Sequence, residues 1–130
     1  MKRAYIDTSW LIRINFEDPD KKLQRELKQY KRLFAAELLI AELFAFARRE
    51  SLEQELITEQ LRAITFIIPD RSLKDEMERI IKIGYLRGAD LWHLACACYL
   101  SPKPEELSFL SADDRQREVA ETLGFEVLKT

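Results

Sequence analysis

The sequence predicts an α/β fold, a small parallel sheet flanked by helices. Two observations carry this. Short apolar runs at 3–6, 64–68 and 107–110 stop at an acid, a proline and a polar turn, as buried strands do. The later half of the chain then alternates strand and helix, which argues for parallel strands joined by right-handed crossovers.

The elements follow in order. Residues 3–6 (RAYI) form a short strand that ends at Asp7, and Thr8 and Ser9 offer capping hydroxyls to a helix through WLIRI. Residues 18–30 (DPDKKLQRELKQY) are highly charged with Leu23 and Leu27 four apart, so an exposed helix with one thin apolar seam is expected, with Pro19 in its first turn. Leu33, Phe34 and Ala35 form a very short strand. Residues 37–50 are rich in Ala, Leu and Phe at helical spacing without Gly or Pro, a heavily buried helix, and 53–61 continue as an amphipathic one.

Ile64, Phe66, Ile67 and Ile68 then read as a buried strand stopped by Pro69. Leu73, Met77, Ile80 and Ile81 place a helix over 72–83, with Gly84 as its C-cap. Another helix covers 90–100 after Gly88 and is stopped by Pro102 and Pro104. A strand at 107–110, a helix at 113–123 ended by Gly124, and a last strand at 125–128 complete the chain.

A chain of 130 residues falls in the size range of one domain, taken as 1–130. Its 47% apolar and 34% charged residues exclude disordered, collagenous and disulfide-scaffold classes. No apolar stretch approaches a membrane span, and the N-terminus MKRAYIDTSW lacks a secretory h-region, so a cytoplasmic location is expected. Cys96 and Cys98 lie two apart on a helical run, where their side chains point away from each other. They read as buried small residues, not as a disulfide or zinc ligands. The net charge of −2 gives no overall positive field, so any nucleic-acid contact rests on local patches.

Four carboxylates stand where the chain is otherwise apolar: Asp7, Glu42, Asp90 and Asp113. Asp7 and Asp113 end strands, at the edge of an open α/β sheet where ligand crevices form. Glu42 interrupts LLIAELFAFA, and Asp90 begins ADLWHLACA. An unpaired buried carboxylate costs several kcal/mol, so each needs a cation, a hydrogen-bond partner or a raised pKa. Taken singly, Asp7 and Asp113 read equally well as helix N-caps and Asp90 as a first-turn acid, whereas Glu42, mid-helix with no terminal donors, is left to pair with Arg48 or Arg49 or to face a solvent gap. Taken together they repel one another unless a divalent cation is bound, and oxygen-only ligands point to magnesium or manganese.

YIDTSWLIR, LLIAELFAFARRE, GADLWHLACA and FLSADDRQREVAETLGFEVL resemble the PIN domain, in particular VapC-like ribonuclease toxins of toxin–antitoxin systems, and the likeness runs over nearly the whole chain. It implies a three-layer fold of strand order 3-2-1-4-5, with Leu33–Ala35 as the second strand. It also places Asp7, Glu42, Asp90 and Asp113 on the family's metal-binding positions, with the acids gathered between strands 1 and 4. Two departures stand out: Glu37 replaces a small hydroxyl residue, and Asp114 adjoins Asp113, although the SAD pattern with Ser111 favours Asp113. His93 is expected in the core or behind the ligands, and Trp10 and Trp92 in the core.

The reaction implied is phosphodiester hydrolysis of RNA leaving a 5′-phosphate, with Asp7, Asp90 and Asp113 as inner ligands and Glu42 holding a second ion or orienting water. Lys21, Lys22, Arg25, Lys28, Lys31, Arg32, Arg48 and Arg49 are candidate phosphate contacts, though a solvated helix face explains most of them. The resemblance further implies a homodimer formed through helices and a small antitoxin whose C-terminal segment folds on binding. Leu23, Leu27, Leu52, Leu56 and Leu61 are the apolar seams available for the dimer. Two other readings compete: a PIN-like interaction module without activity, and a phosphoacceptor receiver domain, which the single Asp at the end of the first strand disfavours.

Overall fold

A computed structural model of the chain describes residues 2–18 and 21–128. Along the chain run β1 (Lys2–Ile6), α1 (Thr8–Phe16), α2 (Lys22–Leu27), β2 (Tyr30–Ala36), α3 (Leu38–Arg49), α4 (Gln54–Leu61) and β3 (Ile64–Ile67). These are followed by α5 (Lys74–Ile83), α6 (Gly88–Leu100), a 3-10 turn at Pro104–Glu106, β4 (Leu107–Leu110), α7 (Asp114–Leu123) and β5 (Glu126–Val127). The strands form one parallel sheet in the order β3-β2-β1-β4-β5, the order that the resemblance implied.

A parallel sheet is stable only with both faces covered, and the strands here are apolar on both. Successive residues alternate between two cores. Tyr5, Phe34, Ala36, Leu107 and Phe109 face a core shared with α5, α6 and α7, built around Ile80, Leu94, Val119 and their neighbours. Ala4, Ile6, Ala35 and Leu110 face the other core, filled by Trp10, Leu39, Leu43 and Ile57 from α1, α3 and α4. The result is three layers.

The expected helix over 18–30 is the main correction. Helix α2 spans only Lys22–Leu27, and Tyr30 already begins a seven-residue β2. Charged residues in that segment favour helix in isolation, but β2 is paired on both sides, with Lys2 opposite Tyr30 and Ile67 opposite Ala36, and Tyr30 is buried. Ladder bonds and burial outweigh the small helix propensities of Lys and Arg. Pro19, expected in the first turn of that helix, lies outside the described residues.

Gly84 also differs from expectation. It ends α5 in an extended conformation (φ −170°, ψ 155°), not as a left-handed cap. Its lack of a side chain serves packing, since a Cβ there would stand 3.1 Å from Cγ2 of Val119. Gly124, by contrast, takes φ 109° and closes α7, with the N–H groups of Gly124 and Phe125 donating to the carbonyls of Glu121 and Ala120. Trp10 is fully buried while Trp92 is only partly so, and Cys96 and Cys98 are free and buried. Among the described residues no helix is long and apolar enough to cross a membrane.

Candidate active site

Strand β1 is central, and the chain leaves it towards β2 on one side while β4 lies on the other, so the crevice at its carboxyl end is the switch point of the sheet. Asp7 sits there. Its N–H donates to the Leu110 carbonyl at 2.9 Å, prolonging the β1–β4 ladder by one bond and bringing Asp7 beside the segment from Ser111 to Asp113.

Asp7 is only 3% exposed and both of its carboxylate oxygens accept hydrogen bonds. Oδ2 accepts from the Ser9 N–H at 3.0 Å and the Ser9 hydroxyl at 2.6 Å, the N-cap of α1. Oδ1 accepts from the Gln116 amide at 3.1 Å. Asp113 is likewise an N-cap, accepting from the Gln116 N–H at 2.8 Å at the start of α7. Both acids therefore fulfil the capping reading and also stand in the crevice; the two readings do not exclude each other.

Asp90 lies in the first turn of α6, with Oδ2 3.5 Å from Nε of Arg87. Burial pushes its carboxyl up, and the charges of Asp7 and Asp113 push the same way against the opposing Arg87. Three of the four expected acids thus share one electrostatic field.

Glu42 joins them through intermediaries. Its Oε1 accepts from the Thr8 hydroxyl at 2.7 Å and lies 2.7 Å from Nε2 of His93. Neither Arg48 nor Arg49 reaches it; Arg49 stacks over Phe46 and pairs with Glu50. Burial opposes the charge on Glu42, but the bonds from His93 and Thr8 and the charges of His93 and Arg87 prevail and hold its pKa below the usual value. His93, buried in the core as expected, completes the relay: its Nδ1 is 2.9 Å from the Tyr5 hydroxyl, which in turn accepts from the Ala36 N–H at 3.2 Å.

Sequence reasoning missed Gln116. This fully buried side chain bonds Asp7 Oδ1 and the Asp90 carbonyl through its amide nitrogen, and accepts from the Ser111 hydroxyl at 2.5 Å, while its backbone N–H caps onto Asp113. One residue thereby touches three segments that carry candidate ligands. A polar residue at the core-facing position of α7, three after Asp113, is the only signal the sequence offered. Of the two adjacent acids, Asp114 is 85% exposed on its side chain and pairs with Arg117, whereas Asp113 caps α7 and lines the groove beside Asp90. Glu37 is exposed and makes no capping bond.

The crevice opens into a groove of about 350 Å³ lined by Tyr85, Leu86, Arg87, Asp90, Asp113 and Arg115. Of the expected phosphate contacts, Lys22 and Arg25 line a different shallow groove with Glu26 and Gln29, and Arg48 lines another with Phe44 and Leu52.

Among the described residues no three His, Cys, Asp or Glu side chains already converge closely enough to hold an ion. The chemistry of the donors nevertheless suits a hard divalent cation: the acids offer oxygen only, and a cation would offset both the burial and the neighbouring charges that raise Asp90.

No curated protein matches the chain. The family model described as PIN domain matches residues 4–122, from β1 to the last turn of α7, and the domains of that family are commonly nucleases that use divalent metals. Matched over nearly its whole length, with the sheet order and the acid-lined switch point in place, the chain belongs to the PIN domain family.

Proposed function

We propose that the protein is a divalent-metal-dependent endoribonuclease and the toxin of a toxin–antitoxin pair. The observation that carries the catalytic part is that Gln116 bonds the Asp7 carboxylate, the Asp90 carbonyl and the Asp113 carboxylate together at the switch point of a PIN fold. Asp7, Asp90 and Asp113 would hold magnesium or manganese, and Glu42 a second ion or the attacking water. The bound cation supplies charge neutralisation at the phosphate and a more acidic water.

The protein's own residues do the positioning. Gln116 and Ser9 fix both oxygens of Asp7, the N-cap bond fixes Asp113, and His93 with Thr8 fixes Oε1 of Glu42 while Oε2 takes neither bond. In the hydrolysis a water oxygen bonds to phosphorus, the bond to the 3′-oxygen breaks, and that oxygen takes up a proton, leaving a 5′-phosphate and a 3′-hydroxyl. End analysis of the fragments from a labelled single-stranded RNA tests this; fragments ending in 2′,3′-cyclic phosphate contradict it.

Dimerisation and neutralisation by a small antitoxin belong to the same proposal. Of the expected seam residues, Leu23 is buried and Leu27, Leu52 and Leu61 pack against the core, while Leu56 is 51% exposed. With Phe44, which is also exposed, it is the apolar surface of α3 and α4 that a second copy would cover. Light scattering that finds only monomer at tens of micromolar removes the dimer.

A second reading has its own support: Asp7, Glu42 and Asp113 already have protein partners, as they would in an interaction module that has lost its activity. The absence of any cation-induced rise in melting temperature would favour that module.

A further inference from the structure

We infer that the groove beside the acids is a nucleotide subsite, in which Tyr85 stacks a base of single-stranded RNA next to the scissile phosphate while Arg115 and Arg87 contact the flanking phosphates. The inference rests on the nuclease reading for the identity of the strand.

Tyr85 is 65% exposed, and it makes no hydrogen bond or ring contact among the described residues. An aromatic ring left so open is unusual in a chain that buries Tyr5 and Tyr30. Its placement is held from both sides. Leu86 is buried in the core shared by α5, α6 and α7, and Gly84 packs closely against Val119, so the short segment between α5 and α6 is pinned with the ring facing out. With the backbone on either side held, only the two side-chain torsions of Tyr85 are ordered when a base covers its ring, which keeps the entropy cost of stacking low.

The charges around it match a polynucleotide. Arg115 is exposed and has no ion pair among the described residues, and Arg87 is held to Asp90 only by a long, open contact of 3.5 Å. Both line the same groove as Tyr85, together with Asp90 and Asp113, and its volume of about 350 Å³ is of nucleotide size. An acidic cleavage site repels phosphate, so guanidiniums at its rim are what bring a strand in. Above Gly88, the first residue of α6, a Cβ would meet nothing within 4 Å, so the backbone there is open to close approach. Of the basic residues singled out from the sequence, Lys22, Arg25 and Arg48 line other grooves. Tyr85 and Arg87 are two residues apart, and Arg115, far along the chain, joins them only when folded.

The test separates binding from chemistry. Anisotropy of a fluorescein-labelled mixed-sequence RNA 12-mer is followed in excess chelator, where metal-dependent cleavage is off, with the DNA 12-mer of the same sequence as a second arm. Tyr85→Ala is expected to weaken RNA binding about 5- to 100-fold, whereas Tyr85→Phe and Tyr85→Trp retain it. Arg115→Gln is expected to lower the salt dependence of log K by about one. Unchanged affinity in Tyr85→Ala, or equal loss in Tyr85→Phe, overturns the subsite, as does RNA affinity indifferent to all three positions with loss only of a protein partner. Tyr85-dependent RNA binding by a protein that never cleaves leaves the subsite standing and removes the nuclease reading. Cleavage insensitive to Tyr85→Ala does the reverse. DNA binding as tight as RNA extends the subsite to single strands generally and supports stacking.

Discussion

Nε2 of His93 lies 2.7 Å from Oε1 of Glu42, joining a helix on one face of the sheet to a helix on the other across the end of β1. Thr8 bonds the same oxygen, and Tyr5, from β1 itself, bonds the other ring nitrogen. A mid-helix acid that looked isolated in sequence is therefore one end of a buried relay that spans three layers.

The relay makes stability depend on pH in a defined window. Burial opposes the charge on His93, but the bond it donates to Glu42 and the charges of Asp7, Glu42 and Asp90 raise its pKa above 6.5, so its contribution is full below that value and is lost as pH rises through the folded value. Glu42, lowered below 4.5, contributes fully above that value and loses its contribution as pH falls through the folded value. The pair is worth most between about 4.5 and 6.5. Melting curves from pH 6 to pH 8 are expected to show a decline in the wild type that is much smaller in His93→Gln. Parallel declines in both proteins would mean that the pair does not titrate in this window.

Asp90 behaves in the opposite sense. Because burial and the neighbouring acids raise its pKa, its ionisation costs stability, the cost setting in above 3.8 and being complete above the raised value. Asp90→Asn is expected to melt higher than the wild type at neutral pH in chelator. The order should invert when magnesium or manganese is added, since a ligand present at one hundred times its dissociation constant stabilises the wild type by about 2.7 kcal/mol. A variant that melts lower in chelator would show that the Arg87 contact outweighs the repulsion.

Gln116 is expected to be the most sensitive neutral residue of the site. Gln116→Leu keeps the volume roughly but removes the donor to Asp7 and Asp90 and the acceptor for Ser111, at about 1–3 kcal/mol for each buried group left unsatisfied. Urea unfolding should show a loss of about 2 kcal/mol or more. A midpoint within error of the wild type would mean that water or the neighbouring hydroxyls replace the amide.

Much of this was legible in the chain. Alternation of apolar strands and helical spacings gave the layers and placed Asp7 and Asp113 at strand ends, because one buried face per two residues is a local pattern. Glu42 was legible as an anomaly but its partner was not: His93 lies 51 residues away on the other side of the sheet, and no local rule links the two. Gln116 was missed for the same reason, since its role exists only where α7 crosses the ends of β1 and α6. The helix expected at 18–30 failed because β2 draws its stability from β1 and β3, which propensity does not register. Arg87, Tyr85 and Arg115 escaped because they form no run, whereas the lysine-rich segment did.

Asp7→Asn isolates the central claim. Asparagine caps helices as well as aspartate does, so α1 keeps its start, while the new amide meets the Gln116 amide donor to donor, and about 1–3 kcal/mol is the expected structural loss. The decisive measurement is cleavage of single-stranded RNA by the purified wild type and Asp7→Asn, each with magnesium or manganese and each in excess chelator. The account predicts cleavage only by the wild type with cation, and a folded but inactive variant. Undiminished cleavage in chelator, or by Asp7→Asn, contradicts it.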